Sequence, residues 1–234
     1  MNKKIILHHL GLGDHIICNG LIREIIKDCD LLLFPVKHHN LLTVKRMFSD
    51  IDEKISYVPV SSDQEMLHTY YQSKNKIAKT IRLGIFFENN FIKNGEKFCE
   101  SFYRHAGIDY EKRWDAFRFC VNSEKEEYIF ENLFNNDFIF VHDDKHRGLD
   151  IRKDLLPNDT YVYRPLHKLA QESNTTIFDY IPLLEKAQEI HCMDSSFACM
   201  IDHLPSLRNK TKYIHRYVRN TISPIYKNNW SIIK

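Results

Sequence analysis

Apolar and polar positions alternate in short blocks along the first third of the chain. Residues 3–9 (KKIILHH) carry a β-branched core of strand length, which predicts a buried strand. In residues 14–27 the apolar positions fall at helical spacing. Ile17, Leu21 and Ile25 share one face and Ile16, Ile22 and Ile26 widen it, as in a helix docked on a sheet. The pattern then predicts strands at 30–36, 55–60 and 80–86. Helices fall between them at 39–48 and 64–77, the second capped by Ser62-Asp63. Residues 95–136 are charged and helical in tendency, with 115–121 extended. Beyond them the alternation restarts, with strands at 137–142, 160–164, 189–193 and 212–215 and helices at 176–187 and 195–204. Pro182 lies close enough to the start of its helix to be tolerated.

Strand–helix–strand repetition with short connections predicts parallel, doubly wound sheets. The expected organisation is α/β, with two Rossmann-like domains at 1–95 and 137–234 joined by a helical bridge at 96–136.

Composition narrows the class without changing this picture. Of 234 residues, 43% are hydrophobic and 27% charged, which excludes disordered and fibrous chains. The net charge is +2 with both signs interspersed, so no concentrated basic face marks a nucleic-acid binder. Lys210, Lys212, Arg216, Arg219 and Lys227 interleave with Tyr213, Tyr217 and Tyr226, which reads as a charged closing segment. No signal peptide is legible and no apolar run approaches the ~20 residues of a membrane span. The six cysteines are scattered with no CxxC pair, which fits a reducing compartment, and the expected location is cytoplasmic.

Candidate chemistry concentrates where predicted strands end. Gly11-Leu12-Gly13-Asp14 turns the first strand into the first helix. Glycines there permit a tight turn and close approach of a ligand, and a helix start favours anions. The dinucleotide fingerprint would need a third glycine at position 16, which is isoleucine, and no Gly-Lys-Ser/Thr supplies a Walker loop. The plain alternative is that Gly11 and Gly13 turn the chain and Asp14 is an N-cap. His8, His9 and His15 surround this turn, where a histidine could assist proton transfer. Asp194-Ser195-Ser196 opens a helix after the predicted strand 189–193, again as a phosphate-binding helix start or a simple cap. His142 to Gly148 (HDDKHRG) follows the strand 137–142. There Arg147, with Lys145 in reserve and Gly148 allowing a turn, is the candidate cation; a solvated loop is the alternative. Asp143-Asp144 lacks Asp-x-Asp spacing, and His142 and His146 at a strand exit lack the helix that i,i+4 zinc ligands need, so no metal is expected.

Leu10–Ile25 (LGLGDHIICNGLIREI) resembles the opening of heptosyltransferase-like glycosyltransferases, in which a strand ends in a small-residue turn, then Gly-Asp, then a helix. The proline usual in that helix is absent; Asn19-Gly20 occupies its neighbourhood. Glu185–Leu204 (EKAQEIHCMDSSFACMIDHL) is similar to the same superfamily's donor-binding segment, where a buried strand ends in an Asp-Ser/Thr pair. The resemblance implies a GT-B architecture, compact here, with the two domains facing a cleft. It implies transfer of a hexosyl or pentosyl group from a nucleotide-sugar donor to a hydroxyl of a glycan or glycolipid, inverting, with neither metal nor cofactor. Asp14 would be the base, with His15 next in line, and Gly11 and Gly13 would shape the acceptor-side loop. Asp194, Ser195, Ser196, Arg147, Lys145 and Gly148 would hold the donor diphosphate. A sugar-nucleotide epimerase or hydrolase of the same fold, or a non-catalytic nucleotide- or glycan-binding module, are the alternatives.

Overall fold

The computed structural model describes residues 2–73, 79–84, 96–120, 137–144, 148–165, 175–218 and 226–234. The chain divides into two units, Met1–Cys120 and Val121–Lys234, each with its own parallel sheet.

The first unit is built on β1 (Lys3–Leu7), β2 (Leu31–Lys37), β3 (Ile55–Val60) and β4 (Lys79–Arg82) in the order β3-β2-β1-β4, every pair parallel. Successive residues Ile5, Ile6 and Leu7 are all buried, which a strand achieves only when both faces of its sheet are covered. One face packs Ile5, Leu7 and Leu10 against Val60 and Met66.

The predicted helix at 14–27 is divided in two, α1 (Leu12–Ile17) and α2 (Asn19–Ile26), with Cys18 between them. It also starts earlier than its apolar stripe, because the Gly11 carbonyl already accepts from the N–H groups of Asp14 and His15 at 3.1 Å each. α3 (Leu41–Met47) and α4 (Asp63–Ser73) connect the next strands. The charged stretch after residue 95 supplies α5 (Phe98–Ala106) and α6 (Lys112–Asp115) to the first unit. Buried Asn19 fastens the chain that follows: its side chain accepts from Arg118 N at 3.0 Å and donates to Arg118 O at 2.9 Å. The far parts of the predicted 64–77 helix and 80–86 strand, and the 121–136 stretch, lie outside the described residues.

The second unit has β5 (Phe138–His142), β6 (Tyr161–Tyr163), β7 (Glu189–Cys192), β8 (Thr211–His215) and β9 (Ser231–Ile233), ordered β6-β5-β7-β8-β9 and again all parallel. Ile139, Val141, Ile151 and Leu156 form a core cluster over one face. The predicted 176–187 helix begins as a 3-10 turn at Ile177–Tyr180 and continues as α7 (Ile181–Lys186), with Pro182 in its first turn. A reciprocal cap explains the tight start: the Asp179 carboxylate accepts from Thr176 N at 2.6 Å and from its hydroxyl at 3.0 Å. α8 (Ser196–His203) follows β7. β9 had no counterpart in the periodicity, since three residues are too few to show alternation.

Candidate functional site

Open parallel sheets bind ligands beyond the carboxyl ends of strands at the point where strand order reverses. In the first sheet that point lies between β1 and β4, and in the second between β5 and β7.

At the first, the chain leaves β1 through His8, His9 and Leu10, and the Leu10 carbonyl accepts from Asn40 Nδ2 at 3.0 Å. Gly11 is the N-cap of α1, in extended conformation and with no side-chain cap. Asp14 is therefore not the cap; it belongs to the first helical turn, where the helix dipole favours a carboxylate. A β-carbon on Gly11 would sit 2.6 Å from Asp14 Oδ2, so the carboxylate folds over Gly11 and would have to shift for any larger residue there. Asp14 is half-buried.

His15 points the other way. It is fully buried, with its ring edge-on to Phe34 at 5.3 Å and to His8 at 4.6 Å between centroids. Neither His15 ring nitrogen, nor Nε2 of His8, has a hydrogen-bond partner among the described residues. Burial pushes His8 down to about 4 and His15 well below the usual histidine range, so both are neutral at pH 7. Positive charge at this edge comes instead from Lys37 at the end of β2, paired with Asp63 at 2.9 Å. Asp63 also faces His9 at 4.0 Å. Burial outweighs that carboxylate and holds His9 at about 4. Sequence reasoning missed Lys37 and read Asp63 only as a cap; the available signal was a lysine directly after an apolar strand.

At the second reversal point, Met193 N donates to the His142 carbonyl at 3.2 Å, joining the ends of β7 and β5. Asp143 accepts from Arg164 Nε at 3.0 Å, and the Asp143 side chain is only 7% exposed. Arg164 ends the predicted strand 160–164 and was not singled out there. Asp144 and Leu149 exchange backbone hydrogen bonds at 2.8 and 3.0 Å, closing a loop in which exposed Gly148 adopts a φ of 67°. That left-handed conformation is what glycine allows. Lys145 and Arg147 lie outside the described residues.

On β7's exit, Asp194 is buried, and Ser195 caps α8 by accepting from Ala198 N at 3.4 Å. Ser196 is the first residue of α8 and half-buried. The first-turn N–H groups of a helix are donors an anion can use. Among the described residues no three His, Cys, Asp or Glu side chains converge as a metal cluster.

The whole chain is similar in fold to a glycosyltransferase. A glycosyl transferase family 9 structure from Veillonella parvula superposes with a TM-score of 0.52 over 99% of this chain and 86% of its own, at 8% sequence identity. The E. coli heptosyltransferase WaaC, solved with ADP-2-deoxy-2-fluoro heptose, gives 0.49 over 99% and 93% at 10% identity. No family model matches the sequence, and no curated protein matches it by sequence. The α/β fold with two parallel sheets is thus that of the family 9 structure. No helix among the described residues is long and apolar enough to cross a membrane.

Proposed function

We propose that the protein is a glycosyltransferase that moves a hexosyl or pentosyl group from a nucleotide-sugar donor to a hydroxyl of a glycan or glycolipid. One observation carries the reading: a carboxylate, Asp14, stands in the first turn of the helix leaving the central strand, in a chain whose fold matches a family 9 glycosyltransferase over 99% of its length. Asp14 takes the proton from the acceptor hydroxyl as its oxygen attacks the anomeric carbon. Gly11 shapes the turn in front of it; Gly13, expected in the same loop, lies instead in the first turn of α1. His15 holds the reserve position, its ring turned into the core.

The donor half of the proposal assigns the second unit to the nucleotide. The first-turn amides and hydroxyls around Asp194, Ser195 and Ser196 receive the diphosphate, with Arg147 or Lys145 supplying a cation beside Gly148. In a GT-B arrangement the two units face each other across a cleft, and a single displacement inverts the anomeric centre. The reaction is proposed to be metal-independent. Support comes from Asp143, whose ion pair with Arg164 commits it away from a two-carboxylate cation cradle. The location is proposed to be cytoplasmic, where nucleotide sugars are made.

The test is a screen of nucleotide sugars and their nucleoside diphosphates for thermal stabilisation, and of the nucleotide sugars for release of nucleoside diphosphate, each with and without chelator. A stabilising nucleotide sugar that is consumed only when a glycan acceptor is added supports the transferase. Turnover without any acceptor points to an epimerase or hydrolase. Binding with no turnover points to a non-catalytic module, and no binding by any member sinks the reading.

A further inference from the structure

A chain of polar side chains crosses the apolar face of the second sheet. Register places Val141, His191 and Tyr213 side by side on β5, β7 and β8, with Glu189 and His215 one step away on the same face. His191 Nε2 lies 3.1 Å from Glu189 Oε2, and His191 Nδ1 lies 2.9 Å from His215 Nε2. His215 Nδ1 lies 3.1 Å from the Tyr217 hydroxyl, which in turn accepts from the backbone N–H of Arg152 at 3.0 Å. His191 is 2% exposed and His215 not at all, whereas the Glu189 side chain is 30% exposed. The chain thus runs from a wet carboxylate at the start of β7 to the segment that follows β5.

With both imidazoles neutral and Glu189 ionised, only one assignment of protons satisfies every contact. Arg152 N–H donates to the Tyr217 oxygen, and the Tyr217 proton is donated to His215 Nδ1. His215 must then carry its proton on Nε2 and donate it to His191 Nδ1. His191 in turn carries its proton on Nε2 and donates to Glu189. Each imidazole is neutral, with one donor and one acceptor used. A proton entering at His191 puts N–H on both of its nitrogens. His215 must then accept at Nε2 and carry its own proton on Nδ1, aimed at the Tyr217 oxygen. That hydroxyl now accepts from His215 and turns its own proton away, so the His215 N–H competes with the Arg152 N–H for the same phenolic oxygen.

We propose that Glu189, His191, His215 and Tyr217 form a one-directional relay that fastens the Arg152 segment to the second sheet and loosens it when a proton enters. Among the described residues, the other groups facing the relay are Tyr213, stacked on His191 at 4.6 Å, and the Arg152 guanidinium, 5.4 Å from the Tyr217 ring centre and paired with Asp154 at 2.8 Å. The guanidinium opposes a further positive charge and Glu189 favours one. Burial decides between them, holding His215 at about 4 and lowering His191, so the relay is neutral at pH 7 and takes up its proton in acid. The fastened segment continues from the loop closed by Asp144 and Leu149. Any effect on nucleotide binding rests on the proposed function; the fastening does not.

The experiment is nuclear magnetic resonance on the whole chain without ligand. At pH 7 the nitrogen shifts of His191 and His215 should both report protonation on Nε2. Amide exchange at Arg152, corrected for its intrinsic pH dependence, should accelerate as pH falls, before that of Ile214 in the β8 ladder. Tyr217→Phe should accelerate Arg152 exchange about tenfold at pH 7, the effect of one lost hydrogen bond, and leave Ile214 unchanged. Glu189→Gln should move the release of Arg152 to lower pH by half a unit or more, which a simple tether would not do. Nδ1 protonation of either histidine at pH 7 would overturn the relay. So would release of Arg152 only together with Ile214, or a release that ignores Glu189→Gln. If Tyr217→Phe does not fold, the wild-type and Glu189→Gln measurements decide.

Discussion

The carboxylate of Asp202 receives the indole N–H of Trp230 at 3.0 Å, reaching from α8 to the segment that enters β9. The same carboxylate accepts the backbone N–H groups of Lys227 at 2.9 Å and Asn228 at 3.0 Å, and Asp202 has no exposed surface. Three donors on one buried anion order the last strand, which pairs with β8 over only three residues.

Asp202→Ala should therefore free residues 226–234 while the rest of the second unit stays folded. The removed hydrogen bonds to a charged group are each worth about 1.5–3 kcal/mol. Limited proteolysis followed by mass spectrometry should show new cleavage in that segment. Unchanged protease resistance would mean that β9 is held by its ladder alone.

Gly84 and Gly107 give a paired prediction. Both have positive φ, 88° and 67°, but a β-carbon at Gly84 would lie 2.5 Å from the Phe102 ring while at Gly107 it would meet nothing within 4 Å. Gly107→Ala should cost about 1–2 kcal/mol, the backbone penalty alone. Gly84→Ala adds overpacking of about 1–3 kcal/mol. Urea denaturation of the two variants checks the order; equal losses would show that Phe102 yields freely.

Acid should destabilise the fold well above the range where carboxylates protonate. Burial holds His8, His9 and His215 at about 4, against an ordinary 6.5 when unfolded. Between those values the unfolded chain binds more protons, so stability falls as pH drops from 6.5 towards 4 and is intact above 6.5. Each of the three contributes a slope of up to about 1.4 kcal/mol per pH unit. Urea midpoints at pH 7, 6 and 5 test this, and a midpoint that is flat or rises on acidification contradicts it.

Asp14→Asn separates chemistry from folding. Gly11 already occupies the capping position, so the loss in stability should be limited to a helix-dipole effect of about 0.3–1 kcal/mol. In its proposed role as general base, the loss of Asp14 should lower transfer by about 10²–10⁴-fold, with nucleotide affinity unchanged. Retention of more than roughly a third of wild-type transfer would remove Asp14 from the chemistry.

Most of the sheet was legible because parallel strands covered on both faces are short apolar runs, as in KKIIL and FIFVH. The Gly11–Asp14 turn and the Asp194–Ser196 helix start were legible because glycines and hydroxyl residues punctuate strand ends. What periodicity could not show were contacts set by distant chain. Asn19 joined to Arg118 and Arg164 joined to Asp143 are examples, as is Asp202 joined to Trp230. The turn of His15 into the core was equally hidden. A charged or amide side chain in an apolar helix has no local signal for its partner. The register that aligns His191 with Tyr213 likewise exists only once β7 and β8 are paired.

Sheet membership carries a consequence for synthesis and inheritance. Every described strand of the first sheet lies before residue 83, and every described strand of the second lies after residue 137. Among the described residues each sheet is thus built from contiguous chain, and neither borrows a strand from the other. A nascent polypeptide can complete the first sheet while the second is still unmade, so N-terminal intermediates on stalled ribosomes should already resist protease. The same contiguity makes each half a block that recombination could exchange without interrupting a ladder.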